Sequence, residues 1–181
     1  MKAKKAMGNT PLSYTQKIKL ERREKEFWKN YFPAGNLEDL PTHFNWIKLS
    51  FTDVNDEELG FLVHRIKSIN MLDLKDTAIT CEGIKHLIKL EYLRELRLKE
   101  SSSINDDCME YITQLTSLTL LQINHTNITV DGLKNIAALS NLKSLYLSLD
   151  LNDQKIQTAL KEIQLQIPQC DIIVNGKDYE P

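Results

Sequence analysis

The chain has 181 residues, 41% of them hydrophobic and 27% charged, with a formal net charge of −2. That is the make-up of one compact soluble domain with room for an arm, and the near balance of charge supplies no general pull toward nucleic acid or membrane. The charge is nonetheless uneven: residues 1–32 carry nine Lys/Arg against three Asp/Glu and the remainder fourteen against twenty-two, so a basic arm precedes an acidic body.

The opening "MKAKKAMGNTPLSY" is positive, but no apolar run of about seven or more residues follows it, so no secretory leader is expected. No stretch approaches the roughly eighteen apolar residues of a membrane span. A cytoplasmic protein that does not contact the membrane is the expectation. Residues 1–12 read as a disordered basic arm. "SYTQKIKLERREKEFWKNYFP" (13–33) reads as a helix stopped by Pro33, with Ile18, Leu20, Phe27, Trp28 and Tyr31 as its apolar side. Together with a linker over 34–43 it makes an N-terminal cap, residues 13–43. The arm lacks the interleaved aromatics of a segment that binds single-stranded nucleic acid, which argues against such a partner.

From residue 44 one pattern returns at a fixed period. An apolar pair with one residue between stands at Ile47/Leu49, Leu72/Leu74, Leu96/Leu98, Leu121/Ile123 and Leu145/Leu147, at spacings of 25, 24, 25 and 24. Three positions before each pair stands Phe44, Ile69, Leu93, Leu118 or Leu142, and downstream stands Val54, Ile79, Ile104, Ile128 or Leu151. The first part alternates like a strand with one buried face. The second takes helical spacing, as in Leu59/Leu62, Ile84/Leu87, Met109/Ile112, Leu133/Ile136 and Ile156/Leu160/Ile163. At the switch stand Asn55, Thr80, Asn105, Thr129 and Asn152, expected N-caps, followed by acidic first turns that suit the helix dipole.

These residues resemble the leucine-rich repeat family: LxxLxL, a short polar residue (Thr52, Thr77, Ser101 or Ser102, Thr126), then Ile or Val with Thr or Asn and a helix. The resemblance covers residues 44–176. It implies an α/β fold, a solenoid of about five repeats over 44–163 with a parallel concave sheet and convex helices, because one unit cannot bury its apolar face without neighbours. Two departures stand out. "KESSSIND" has one residue more between strand and anchor, so a local bulge is expected; "LYLSLDLND" has a shorter link and no Thr. "LQIPQCDIIVNGK", within 164–181, fits a C-terminal cap: Pro168 ends a helix, Ile172–Val174 make a last strand, and Asn175-Gly176 turns.

Catalytic chemistry is not evident. His43, His64, His86 and His125 form no metal-ligand spacing, no phosphate loop is present, and neither cofactor nor metal is expected. Cys81, Cys108 and Cys170 are too far apart for a zinc or CxxC site and read as reduced thiols. An enzyme using Cys81 or Cys108 is the minor alternative. The expected function is a non-catalytic module that binds a protein partner, of unknown identity, on the concave sheet through Trp46, Lys48, Met71, Asp73, Arg97, Leu120, Gln122 and Tyr146. Trp, Tyr and Arg are the types that anchor interfaces. An inhibitor of a basic enzyme such as a nuclease would suit the acidic body. The alternative is an assembly factor, since "INDDCMEYITQLTSL" (104–118) with "FWKNYFP" upstream also has a weaker resemblance to the mitochondrial ATP-synthase coupling factor B family.

Overall fold

A computed structural model of the protein describes residues 12–32 and 37–180. The chain divides into two units, Met1–Asp39 and Leu40–Pro181. The expected disorder of residues 1–12 falls, save for Leu12, outside the described residues, as does Pro33.

In the first unit, helix α1 spans Tyr14–Tyr31. Ser13 opens it with a capping box: its hydroxyl accepts from the Gln16 N–H while the Gln16 side chain accepts from the Ser13 N–H. Phe27 and Trp28 are buried. Their rings meet edge to face at 5.1 Å, and Phe32 lies 4.9 Å from Trp28, a geometry that suits the ring quadrupoles.

In the second unit seven strands follow in chain order across one sheet: β1 (His43–Lys48), β2 (Ser68–Asp73), β3 (Tyr92–Arg97), β4 (Leu120–Gln122), β5 (Ser144–Leu147), β6 (Asp171–Val174) and β7 (Lys177–Asp178). All neighbours are parallel except β6 and β7, which are antiparallel. Asn175 and Gly176 both have positive φ, as a two-residue hairpin turn requires. The in-register aliphatic row is Ile47, Leu72, Leu96, Leu121, Leu145 and Ile172, each 0–3% exposed. This is the α/β architecture of a leucine-rich-repeat-like solenoid, with a mostly parallel sheet whose apolar ladder points to one side.

The return segments are helical but short: α2 (Asp56–Arg65), α3 (Cys81–His86), α4 (Met109–Ile112) and α5 (Gln154–Gln166). A 3-10 turn continues α3 over Leu87–Lys89, another precedes α4 over Asp106–Cys108, and Gly132–Ala138 is a pair of 3-10 turns separated by a kink at Asn135, whose backbone is not helical. The expectation of a helix in each unit is corrected there. In those units the return is made largely by 3-10 turns, whose steeper rise covers a given distance with fewer residues.

Caps sit where expected at Asn55, Thr80 and Asn105, each accepting a backbone N–H two residues on. Thr129 accepts the Asp131 N–H in the same way, but the turn after it starts only at Gly132, with Asp131 at the cap position and no side-chain cap bond, so the expected cap at Thr129 is corrected. At the fifth, the cap is Asp153 and not Asn152. The shorter link there ties Asn152 to Asp150 instead. The extra residue of "KESSSIND" forms no strand bulge: it is absorbed in a turn after β3, where the buried Ser101 donates to the Leu74 carbonyl and accepts the Ile104 N–H on its own carbonyl.

Candidate functional site

Beyond the end of each of the first four strands, one residue adopts the left-handed conformation. Phe51, Asp76, Glu100 and His125 have φ of 61°, 52°, 64° and 59° and occupy equivalent positions 24 or 25 residues apart. The turn lets the chain leave for the helix side while the first three still donate into the sheet, to the carbonyls of Lys75, Lys99 and Asn124. The next residue closes the bend: the Thr52, Thr77 and Thr126 hydroxyls donate to the carbonyls of Leu49, Leu74 and Ile123 at 2.6–2.9 Å.

With ladder residues inward, the intervening side chains fall on the sheet's other face. All eight residues expected to bind a partner lie there, in two register rows. Trp46, Met71 and Leu120 share one row, interrupted by Glu95 between Met71 and Leu120 and followed by Ser144. Lys48, Asp73, Arg97, Gln122 and Tyr146 form the other, which Ile173 extends. Trp46 is 66% exposed, Lys48 is exposed, and the other six are part-buried. Adjacent strands hold neighbours in a row about 4.8 Å apart.

The face is electrostatically tied. Glu95 accepts from Arg94 Nη2 at 3.0 Å and Arg97 Nη2 at 3.2 Å. Glu100 pairs with Lys75 at 3.1 Å and Lys99 at 3.5 Å. The Lys75 hydrogen bond, then the neighbouring lysine charges, hold the Glu100 carboxyl below its usual range. Lys75 Nζ also lies 4.5 Å from the centroid of the Phe51 ring, itself 63% exposed. Arg97 Nε, Ser50 Oγ and Asn124 Oδ1 are shielded from solvent with no hydrogen-bond partner among the described residues. Toward β6 the face deepens into a depression of about 420 Å³ lined by Lys99, Gln122, Asn124, His125, Tyr146 and Ile173 among others.

Phe51, Lys75, Lys99, Asn124 and Glu100 were absent from the expected site. The signal available was the column Phe51, Asp76, Glu100, His125, whose residues share a backbone position and no chemistry.

The thiol expectation is overturned. Cys81 and Cys108 are joined by a disulfide with Cα atoms 4.6 Å apart, so neither is a free nucleophile. Cys170 is the free cysteine and is buried; burial, then the Asp171 charge, pushes its thiol up to about 12. The histidines are dispersed: His43 Nδ1 meets Ser68 Oγ, His125 Nδ1 lies 3.4 Å from Ser148 Oγ, His64 is exposed on α2, and His86 packs near Gly60. No cluster of three or more potential metal-ligating side chains occurs among the described residues, and no described helix is long and apolar enough to cross a membrane.

No family model matches the chain and no curated protein matches it. The weaker likeness to ATP-synthase coupling factor B therefore has no support. Among solved structures the chain is similar to the leucine-rich repeat-containing protein LegL7 from Legionella pneumophila, at 18% identity and a TM-score of 0.48, over 87% of this chain and 54% of that one. The chain thus spans about half the length of that structure.

Proposed function

We propose that the protein is a non-catalytic leucine-rich-repeat module that binds another protein on the open face of its sheet. The observation that carries the reading is the contrast between alternate residues of the same strands. Ladder side chains are fully buried, whereas Trp46, Met71, Leu120 and Tyr146 keep large groups where water alone would favour small polar ones. They share the face with Arg97 on a hydrogen-bonded sheet, and a preorganised surface loses little conformational entropy on docking. The reading keeps about five repeats over 44–163, a helix-and-linker cap over 13–43, and a closing cap over 164–181. It assigns no cofactor and no catalytic residue.

Within it, inhibition of a basic enzyme is favoured by the acidic body, and service as an assembly factor is the alternative. The cytoplasmic placement is in tension with the Cys81–Cys108 bond, because the thiol pool of that compartment keeps such pairs reduced.

The test compares partner recovery by the wild type, by Arg97→Ala/Tyr146→Ala, and by Lys134→Ala on the opposite, helical side. A protein recovered by the wild type and Lys134→Ala but lost from the double variant supports this face. Equal recovery by all three counts against it.

A further inference from the structure

Three successive joints between helical starts can be compared position by position. In each, the second residue of one start faces the fourth residue of the next: Asp56 faces Gly83, Cys81 faces Cys108, and Asp106 faces Gly132. At the outer two joints the link is polar. Asp56 accepts from the N–H and hydroxyl of Thr80, and Asp106 accepts from the N–H and hydroxyl of Thr129. The glycines make room, since a Cβ on Gly83 or Gly132 would lie 2.3 Å from the carboxylate oxygen. At the middle joint all three parts differ. Cysteine replaces aspartate, Asn105 replaces threonine, Cys108 replaces glycine, and a covalent bond spans the gap.

We propose that Cys81–Cys108 is a thiol–disulfide exchange site that substitutes for the Asp–Thr–Gly clasp, so that a dithiol reductant loosens the joint between the units of β2 and β3. The inference does not depend on the partner-binding reading. Cys81 is half-buried and Cys108 fully buried, so the accessible point of attack is the Cys81 sulfur. A reductant thiolate bonds to it, the protein's sulfur–sulfur bond breaks, and Cys108 leaves as a thiolate that takes up a proton. The reductant's second thiolate then displaces Cys81, which is protonated in turn. The protein gains two electrons and two protons and the reductant becomes a disulfide. Oxidised glutathione reverses the step by the same exchange.

The reduced joint has little to fall back on. Asn105 Oδ1 lies 3.3 Å from the Cys81 sulfur and can accept one weak S–H hydrogen bond, where the outer joints have two bonds to a carboxylate. The two units that the joint connects contribute the register pairs Met71 with Glu95 and Asp73 with Arg97, in the middle of the open face.

The test uses the full chain, equilibrated with oxidised glutathione or with dithiothreitol. Reduction should lower the wild-type melting temperature by about 5–15 °C. It should also speed hydrogen exchange about tenfold or more at the Leu74 and Asp76 amides, which follow β2 and bond to the Arg97 and Lys99 carbonyls of the next unit, with a smaller change at Leu49 and Phe51, which follow β1 and bond to the Asp73 and Lys75 carbonyls. Cys81→Asp/Asn105→Thr/Cys108→Gly, which installs the polar clasp, should melt at one temperature in both conditions. Should that variant not fold, Cys81→Ser/Cys108→Ser should melt with the reduced wild type regardless of dithiothreitol. Three alkylatable thiols in the denatured, glutathione-oxidised protein, an unchanged melting temperature on reduction, or equal acceleration at all four amides would each overturn the proposal.

Discussion

The carboxylate of Asp56 takes two hydrogen bonds from one residue a full period away: from the Thr80 N–H at 2.8 Å and from the Thr80 hydroxyl at 2.6 Å. Asp106 holds Thr129 in the same way, both at 2.7 Å. This relationship accounts for the recurrence of "ITCEGI" and "ITVDGL" in the chain. The threonine donates twice to the preceding unit while its hydroxyl still accepts the N–H two residues on, and the glycine three residues on leaves space for the incoming carboxylate. A short sequence thus does both the local work of starting a helix and the long-range work of fastening neighbours.

Removing the acceptor should therefore cost more than an ordinary surface substitution. Asp56→Ala is expected to destabilise by about 1.5–3 kcal/mol, the range for hydrogen bonds to a charged group. Gly83→Ala should also destabilise, although alanine is the better helix former by about 1 kcal/mol, because its methyl group displaces the Asp56 oxygen. Asp56→Ala and Asp106→Ala act at separate joints and should add. Urea denaturation of the wild type, the three single variants and Asp56→Ala/Asp106→Ala checks this. A Gly83→Ala variant more stable than the wild type would show that the clasp contributes nothing.

Phe51 joins two costs: a bulky side chain at φ 61° and a ring left 63% exposed. The left-handed conformation disfavours a non-glycine residue by about 1–2 kcal/mol, and an exposed cation–π contact with Lys75 returns about 0.5–1. Phe51→Gly should leave stability unchanged or raise it by up to about 1 kcal/mol, whereas Phe51→Val should lower it because β-branching worsens the strain. Thermal unfolding measures both. Retention of the phenyl ring at a stability cost is the pattern of a surface that is used, so Phe51→Gly should weaken capture of any partner that Arg97→Ala/Tyr146→Ala loses.

The ladder was legible in the sequence because burial on one face of a strand imposes an aliphatic residue at every second position and stacking imposes the period; Leu72, Leu96, Leu121 and Leu145 were placed without ambiguity. Three caps, Asn55, Thr80 and Asn105, were legible because Asn and Thr oxygen atoms do a job that aliphatic residues cannot. The column Phe51, Asp76, Glu100, His125 was legible as a recurring outward position, but its left-handed conformation was not, because these residues are alike only in backbone angle. The disulfide escaped for a geometric reason. Its cysteines are 27 apart, a period plus two, because the second residue of one helical start meets the fourth of the next. Inspection in register pairs like with like and so misses a diagonal contact. The fifth cap shifted to Asp153 because the link before it is shorter, which a fixed period does not capture.

His86 should make stability fall in mild acid. Burial, then the Lys89 charge, lowers its folded-state pKa beneath the ordinary 6.5, against smaller opposing effects of Asp56 and Glu82. The unfolded chain therefore binds the proton more readily. Stability is undiminished above about pH 6.5 and is lost as the pH falls from there through the lower folded value. His86→Gln removes the titrating group. Its melting temperature should decline less than that of the wild type between pH 7.5 and pH 5, and parallel declines would exclude a contribution from His86.

Cys170 should be silent until the fold opens. It is 3% exposed, and burial together with Asp171 pushes its thiol up to about 12, so almost no thiolate exists near neutrality. Native, oxidised protein treated with iodoacetamide at about pH 8 should carry no adduct. In urea without reductant it should carry one, at Cys170, and in urea with reductant three, because only then are Cys81 and Cys108 released. The raised value also fixes an alkaline limit. The unfolded thiol ionises near 9.0 and the folded one near 12, so its contribution to stability is lost as the pH rises through that interval, a loss that Cys170→Ala should not show. Intact-mass measurement after each treatment reads the adduct count directly. Rapid alkylation of Cys170 in the folded state would mean that the turn before β6 opens independently of the ladder it closes.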